Sequence, residues 1–161
     1  CSEFFAGQAP FSEKETRAMK DFLKSVEGEL RFVINFHSNG PAFIWAFNGR
    51  YPNDIEDRAP MVLPVLEQIV DNAIFPTGTV KGNSMQVMGK TIGGDADDYI
   101  TENFAIPSVT AEIGDPGNFV QQWVAKDKES AYNVLNQNIQ WVDYIFLNLP
   151  DFSRKLSLTV A

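Results

Sequence analysis

The pattern of apolar and polar positions along the chain predicts alternating helices and strands, and one of the strands stands out. Between Phe32 and Gly40 the sequence reads FVINFHSNG, an apolar run that becomes polar at its end. A near-continuous apolar run is typical of a strand buried on both faces of an α/β sheet. This strand would carry His37, the only histidine of the chain, to its carboxyl end. Ligands bind at that end of the strands in open α/β sheets.

His37 by itself leaves two interpretations open. A lone histidine can be a structural residue whose ring nitrogens are satisfied by the surrounding protein, or it can be a metal ligand or catalytic group. Its position at the end of a strand is compatible with both. The choice therefore depends on which residues the rest of the sequence brings to the same place.

Apolar residues at helical spacing predict three helices. The first is expected to open with a capping box, in which Ser12 and Glu15 satisfy each other's backbone donors. Its apolar stripe consists of Ala18, Met19, Phe22, Leu23 and Val26. The second helix starts near Pro60. The third is predicted to span 126–149, because Pro150 would stop it.

Short apolar runs predict further strands at 42–47, 85–88 and 106–113. The polar stretch 48–60 has the composition of a surface loop. Residues 151–161 alternate mildly between apolar and polar, which suits an extra strand or the start of a further segment. Helices interleaved with strands place the chain in the α/β class.

Length, composition and charge limit the classes of protein to consider. A chain of 161 residues with 44% apolar residues can build one domain with a real core. The formal charge of -8, with the few basic residues dispersed, argues against binding to a phosphate backbone, so no nucleic-acid partner is expected. No apolar run approaches the roughly 18 residues that a membrane span needs.

The first residue is Cys1 rather than methionine, which leads us to expect a mature product or a fragment of a longer protein. Cys1 is also the only cysteine, so it cannot form a disulfide within the chain. It is either a free thiol or the partner of a cysteine on another segment. A disulfide of that kind would imply an oxidising compartment.

Two acidic features are candidates for function. Asp95, Asp97 and Asp98 follow a Gly-Gly pair, and their spacing does not fit an EF-hand calcium loop. They could face the positive end of a helix dipole, or at least one of them could contact a substrate. Glu112 lies in the apolar-leaning run 106–113, where a carboxylate is costly to bury and usually has a partner or a chemical role.

Taken together, these residues resemble the C-terminal half of a zinc metallocarboxypeptidase domain of the pancreatic type. The resemblance covers about residues 1–149 and leaves 150–161 as a tail or the start of a further segment. It implies part of a mixed central sheet flanked by helices, an α/β/α sandwich whose N-terminal half is absent. The matching segments are Cys1-Ser2-Glu3, Phe11-Ser12-Glu13, His37-Ser38, the acidic stretch 93–99, and Thr110-Ala111-Glu112-Ile113-Gly114-Asp115.

The resemblance also implies residue roles. His37 would be a zinc ligand, and Glu112 would be the general base that takes a proton from zinc-bound water and passes it to the departing amine. Ser38 and Asn39 would contact the substrate beside the metal. Asp97 would lie at the base of the pocket for the C-terminal side chain, which resembles family members that prefer C-terminal Lys or Arg.

The sequence also departs from the family pattern. The other zinc ligands, in a His-x-x-Glu motif, and the arginines that hold the substrate carboxylate would lie upstream and are not in this chain. Gly89 and Lys90 stand where a mobile tyrosine is usual. The resemblance implies that peptide or protein C-termini are the substrates. It also implies that a missing N-terminal segment of the same protein is a partner, and a disulfide through Cys1 is one way in which the two could be linked. It also implies a secreted or lysosomal/vacuolar location.

Three hypotheses follow from the sequence. The first is half of an active zinc carboxypeptidase that is inert in isolation. The second is a carboxypeptidase-like pseudoenzyme that serves as a binding or structural module, and the absent tyrosine motivates it. The third is an unrelated α/β domain in which His37 and Glu112 are structural.

Overall fold

A computed structural model describes residues 8–49, 54–114 and 128–157 of the chain. Predictions about Cys1 and about residues 158–161 lie outside these described residues. The elements in chain order are α1 (Lys14–Ser25), β1 (Val33–His37), β2 (Ala42–Trp45), α2 (Asp54–Arg58), α3 (Leu63–Asn72), β3 (Val80–Gly82), α4 (Ser84–Met88), α5 (Ala96–Phe104), β4 (Ser108–Glu112) and α6 (Lys128–Ser157). No helix in the described ranges is both long enough and apolar enough to cross a membrane.

The four described strands form one mixed sheet in the order β1-β4-β2-β3. Strand β1 is parallel to β4, and β2 is parallel to β3, whereas β2 and β4 are antiparallel. The predicted α/β class with a mixed sheet is therefore confirmed. Strand β4 lies in the interior of the sheet between β1 and β2, so its residues have neighbours on both sides.

One face of the sheet carries the main hydrophobic core. Because side chains alternate along a strand, Val109 and Ala111 of β4 point to the same face as Phe43 of β2. Helices α3 and α6 supply most of the remaining core. Its largest fully buried apolar side chains are Trp141, Phe43, Phe47, Phe152, Leu66, Ile69, Ile145, Val62, Val65 and Val109. The aromatic ring of Trp141 packs against Phe43 and Phe75, with ring centroids 5.7 Å and 5.9 Å away.

A second, smaller apolar cluster contains Leu23 of α1, Ile100 of α5 and Ile106, with Val33 of β1 packed against it. It flanks the sheet face that carries the polar side chains of β1 and β4. Of the stripe predicted for α1, only Leu23 is buried, and Met19 and Phe22 are 57% and 58% exposed.

The predicted end of the last helix at Pro150 is wrong, because α6 continues through this proline to Ser157. A proline inside a helix removes one hydrogen bond and costs about 3 kcal/mol. The residues beyond it offset that cost, since Phe152 is completely buried in the main core and Leu156 packs against both clusters. The extra strand considered for 151–161 is likewise helical as far as Ser157. The boundary between residues 149 and 150 as a division of the chain stays a prediction.

Two local predictions near helix starts are also wrong. The capping box at Ser12 and Glu15 does not form: the Ser12 hydroxyl donates to Glu13 Oε1 at 2.9 Å, and α1 begins without a side-chain cap. The strand expected at 85–88 is helix α4, which begins with a capping box between Asn83 and Gln86. The backbone nitrogen of Gln86 donates to Asn83 Oδ1 at 3.1 Å, and that of Asn83 donates to Gln86 Oε1 at 2.9 Å.

The stretch 48–60, predicted as a surface loop, contains the short helix α2 (Asp54–Arg58). Its residue Ile55 is buried in the main core, which anchors this turn of helix. A single apolar residue among polar ones carries no helical period, so composition alone predicted a loop.

Truncation of Phe152 tests whether the part of α6 beyond Pro150 contributes to the core. We expect Phe152→Ala to lower the free energy of unfolding by about 3–5 kcal/mol, because it empties a fully buried aromatic site. Leu147→Ala is the matched control on the same helix, since Leu147 is 80% exposed. Denaturant unfolding measures both variants, and equal small losses would contradict the burial of Phe152.

Candidate active site

Strands β1 and β4 bring His37 and Glu112 side by side. These two residues are register partners at the carboxyl ends of two parallel strands. The backbone nitrogen of Ile113 donates to His37 O at 3.0 Å, which extends the ladder just past this pair. Neighbouring strands lie about 4.8 Å apart, and register partners point to the same face of a sheet. The imidazole and the carboxylate therefore leave the sheet next to each other.

Glu112 carries a carboxylate oxygen that lacks a protein partner. Its Oε2 atom is buried and forms no hydrogen bond. An unsatisfied buried polar atom costs about 1–3 kcal/mol, so native structures rarely keep one without a ligand or a chemical role. The neighbouring His37 is exposed to solvent. The pair thus combines an accessible imidazole with a carboxylate that has one buried oxygen without a hydrogen-bond partner.

The turn between β1 and β2 lies against the end of β4. Ser38 and Asn39 are half-buried in this turn, directly after His37. The backbone nitrogen of Gly40 donates to Ile113 O at 3.2 Å. A Cβ atom on Gly40 would come within 2.0 Å of the carbonyl oxygen of Glu112, so this close approach requires glycine. The structure therefore places Ser38 and Asn39 beside the His37 and Glu112 pair.

Asp97 lies on the same face of the sheet, completely buried at the start of α5. Its Oδ1 accepts hydrogen bonds from Asn35 Nδ2 at 2.8 Å and Ser108 Oγ at 2.5 Å, and its Oδ2 accepts one from Thr110 Oγ1 at 2.7 Å. Asn35 and Thr110 are register partners one step before His37 and Glu112 on the same face. Two residues along a strand span about 7 Å. The donors Asn35 and Thr110 are therefore about 7 Å along the strands from the His37 and Glu112 pair.

Burial raises the pKa of Asp97 from 3.8 to about 7, and the charge of Asp95 adds to the increase. The hydrogen bonds from Ser108, Thr110 and Asn35 act in the opposite direction and lower the pKa. Removal of a carboxylate from water disfavours its charged form, and a like charge nearby does the same. Asp97 therefore gains or loses its proton near neutral pH.

The other two aspartates of the acidic stretch have structural partners. Asp95 caps α5, because its Oδ1 accepts a hydrogen bond from the backbone nitrogen of Asp97 at 2.7 Å. Asp98 accepts from the backbone nitrogens of Asn48 and Gly49 at 2.6 Å and 2.8 Å. The interpretation of this stretch as a helix N-terminus is confirmed. The hydrogen bonds of Asp98 hold the start of α5 against the loop after β2.

The polar residues that hold Asp97, namely Asn35, Ser108 and Thr110, were not predicted from the sequence. The alternation of side chains along each strand could have identified them. Asn35 precedes His37 by two residues, and Ser108, Thr110 and Glu112 occupy every second position of β4. Residues at this period share one face of a strand. One polar row on each strand therefore pointed to a shared polar face.

The fit of a zinc ion to these residues is partial. No group of three or more His, Cys, Asp or Glu side chains that could hold a metal occurs among the described residues. Catalytic zinc sites use three protein ligands and keep one position open. The exposed imidazole of His37 suits one ligand position. The unpartnered oxygen of Glu112 suits a group that accepts a hydrogen bond or a proton from a bound reactant. The remaining ligands are not among the described residues.

Comparisons with known proteins identify the family of the chain. The profile of the family described as "Zinc carboxypeptidase" matches residues 1–137. A carboxypeptidase B from Helicoverpa zea is 32% identical over 118 residues, which are 70% of this chain and 27% of the relative. A carboxypeptidase B from Astacus astacus is 26% identical over 127 residues, which are 74% of this chain and 39% of the relative.

The fold is also similar to that of a solved structure, bovine thrombin-activatable fibrinolysis inhibitor in complex with tick carboxypeptidase inhibitor. The TM-score is 0.54 at 24% identity, over 74% of this chain and 40% of that one. This likeness concerns the fold, whereas the profile match covers most of the sequence. The chain spans well under half the length of the relatives it matches. The chain thus belongs to the zinc carboxypeptidase family.

Proposed function

We propose that this chain supplies part of the active site of a zinc-dependent carboxypeptidase, which hydrolyses the C-terminal peptide bond of peptides or proteins. The observation that carries the proposal is the register of His37 with Glu112 at the carboxyl ends of β1 and β4. The buried, unpartnered Oε2 of Glu112 supports it, because a general base needs an oxygen that is free to accept a proton.

In this proposal His37 provides one nitrogen ligand to zinc. When bound, zinc acts as a Lewis acid that polarises the scissile carbonyl and makes water a better nucleophile. The other ligands and the arginines that hold the substrate carboxylate come from a part of the protein outside this chain. The chain matches only 27% and 39% of the length of two relatives, which supports the proposal that a further part of the protein exists.

Glu112 acts as the general base in the proposed reaction. Its carboxylate accepts a proton from the attacking water while the water oxygen bonds to the carbonyl carbon. The same proton then passes to the amine nitrogen as the carbon–nitrogen bond breaks, so the products are a carboxylate and a free amino acid. The antiparallel and parallel neighbours of β4 hold the Glu112 backbone on both sides, which keeps the base in place.

The substrate contacts are proposed on the same face. Ser38 and Asn39, in the turn after His37, would contact the substrate beside the metal. Asp97 would favour a basic C-terminal side chain when it is ionised, because a buried carboxylate pairs well with a cation. Such a guest must compete with the hydrogen bonds from Asn35, Ser108 and Thr110. A secreted or lysosomal/vacuolar location stays a prediction from the sequence.

A pseudoenzyme that binds peptides without hydrolysing them is the second candidate. Gly89 stands at the position where an aromatic residue usually closes over the substrate, and it forms the left-handed cap of α4 with a φ of 69°. A residue with a large side chain would be strained in that conformation. Helix α4 therefore ends without an aromatic group at this position.

An assay of the full-length protein that contains this chain tests the proposal. We expect release of C-terminal residues from peptides, inhibition by phenanthroline, and recovery when zinc is restored. His37→Ala is expected to reduce bound zinc and to abolish release, because it removes a ligand. Stoichiometric zinc together with peptide binding but no release would favour the pseudoenzyme. Zinc content that His37→Ala leaves unchanged would contradict the assignment of His37.

A further inference from the structure

The buried carboxylate of Asp97 joins the two strands that carry His37 and Glu112. Its Oδ1 accepts a hydrogen bond from Asn35 Nδ2 of β1 at 2.8 Å, and its Oδ2 accepts one from Thr110 Oγ1 of β4 at 2.7 Å. Asn35 and Thr110 are register partners that lie two residues before His37 and Glu112 on their strands. One side chain of α5 therefore contacts both strands close to the His37 and Glu112 pair.

The apolar residues of β1 and β4 do not by themselves select this register. On the core face the register partners are all apolar, namely Ile34 with Val109 and Phe36 with Ala111. Because side chains alternate with a period of two, a shift of β1 by two residues keeps every side chain on its own face. Such a shift would still place apolar groups beside apolar groups, but it would move His37 about 7 Å along β4, away from Glu112.

The turn between β1 and β2 limits the position of β1 but is long enough for more than one register. His37 and Ala42 flank β4 in the sheet, so they are about 10 Å apart. A shift of β1 by two residues would lengthen that span to about 12 Å, whereas the five residue steps between them reach about 17 Å when extended. The hydrogen bond from Gly40 to Ile113 favours the observed position, and Asp97 adds a constraint farther along the strands.

Burial of the Asp97 carboxylate has a cost that is visible in its pKa, which burial and the nearby charge of Asp95 raise to about 7. An apolar side chain of similar size would avoid this cost and could fill the same space. It would not, however, distinguish one register from another. A buried polar group can specify a single alignment of packed elements at the expense of stability. The partners of Asp97 on β1 and β4 give it the contacts for such a role.

We propose that Asp97 is a positioning residue, whose hydrogen bonds to Asn35 and Thr110 select the register of β1 and β4 that places His37 beside Glu112. The role needs no contact between Asp97 and the substrate. It therefore applies to every C-terminal residue and is separate from the proposed attraction of a basic side chain. The inference rests on the proposed function, because it concerns the same pair, but the register can be measured without catalysis.

Two single substitutions in the full-length protein that contains this chain test the role. Asn35→Leu removes the hydrogen bond between β1 and Asp97. The matched control Ser108→Ala removes a hydrogen bond to the same Asp97 oxygen, but Asp97 remains bonded to both strands. The protein is studied without zinc, because a bound metal would itself hold His37 in place.

The readout is the exchange ratio, which we define as the hydrogen-exchange rate of the Ile113 amide divided by that of the Leu66 amide. The Ile113 amide donates to His37 O in the observed register, whereas the Leu66 amide forms a backbone hydrogen bond at the start of α3 in the main core and reports overall stability. We expect Asn35→Leu to raise the exchange ratio about tenfold or more and Ser108→Ala to leave it within about twofold of the wild type. An exchange ratio that Asn35→Leu leaves unchanged would overturn the proposal.

A second variant keeps the test decisive if Asn35→Leu does not fold. It replaces the whole polar set by apolar side chains, with Asn35→Leu, Asp97→Leu, Ser108→Ala and Thr110→Val together. Because no polar group of the set is left without its partner, we expect this variant to fold with a Tm at or above that of the wild type. Its exchange ratio should still rise about tenfold or more, and an unchanged ratio would overturn the proposal. Neither readout depends on activity, so an inactive protein would contradict the proposed function and leave the register test intact.

Discussion

Glu112→Gln is expected to reduce kcat for release of a C-terminal residue by about 10²–10⁴-fold in the full-length protein. Glutamine has nearly the shape of glutamate but cannot accept the proton of the attacking water. The backbone at this position is held by β1 and β2 on its two sides, so the substitution should leave the strand in place. KM should change little, because the lost interaction belongs to the chemical step.

The matched control for this variant is Glu67→Gln, on the exposed side of α3. It removes the same charge from the chain and should leave kcat unchanged. Zinc content should be equal in both variants, which separates loss of the base from loss of the metal. A Glu112→Gln protein with full zinc and an unchanged kcat would contradict the role of Glu112.

Asp97→Ala is expected to lower the free energy of unfolding by about 3–5 kcal/mol. The change leaves the Asn35 amide and the hydroxyls of Ser108 and Thr110 without their shared acceptor in a buried site. Asp97→Asn is the matched control, since its amide oxygen can keep two of these bonds and its amide nitrogen can donate to Thr110. Denaturant unfolding near pH 5 should show a large loss for alanine and a small change for asparagine.

The pH dependence of the same variants gives a second readout for Asp97. The folded protein holds this proton up to about pH 7, whereas the unfolded chain releases it near 3.8. Between these values the folded state binds more protons, so its stability must fall as the pH rises. The full difference corresponds to about 4 kcal/mol. The gap between wild type and Asp97→Asn should therefore move in favour of asparagine from pH 4 to pH 7, and parallel curves would contradict it.

The parts of the site that the sequence predicts well are those with a strong local signal. The apolar run before His37 and the run around Glu112 each form a strand in the predicted place. The α/β class does not determine that these two strands are neighbours, but once they pair in parallel their carboxyl ends lie together. This pairing places His37 next to Glu112, and their roles as zinc ligand and general base stay predictions.

Two of the features that the sequence did not predict depend on contacts between distant segments, and a third is local. Asp97 lies 62 residues from Asn35 in the chain, and only the fold shows that they share a hydrogen bond. The helix continues through Pro150 because Phe152 reaches the core, and tertiary burial outweighs the local preference of proline. The capping box at Ser12 matched a sequence pattern, but the hydroxyl bonds to the adjacent Glu13 instead.

Membership of the zinc carboxypeptidase family excludes one of the three hypotheses and leaves the other two. An unrelated α/β domain is excluded by the match of the zinc carboxypeptidase profile to residues 1–137. Active enzyme and peptide-binding pseudoenzyme share this family and this fold. They differ in whether a bound peptide is cleaved. The proposed enzyme requires zinc, the base and the substrate to meet at the end of β1, so the position of the metal is the central question for that proposal.

Anomalous scattering at the zinc edge from crystals of the full-length protein tests the central claim most directly. We expect one peak about 2.0–2.1 Å from a ring nitrogen of His37, with the Glu112 carboxylate close by and outside the coordination sphere. A zinc peak elsewhere in the protein, with none at His37, would contradict it.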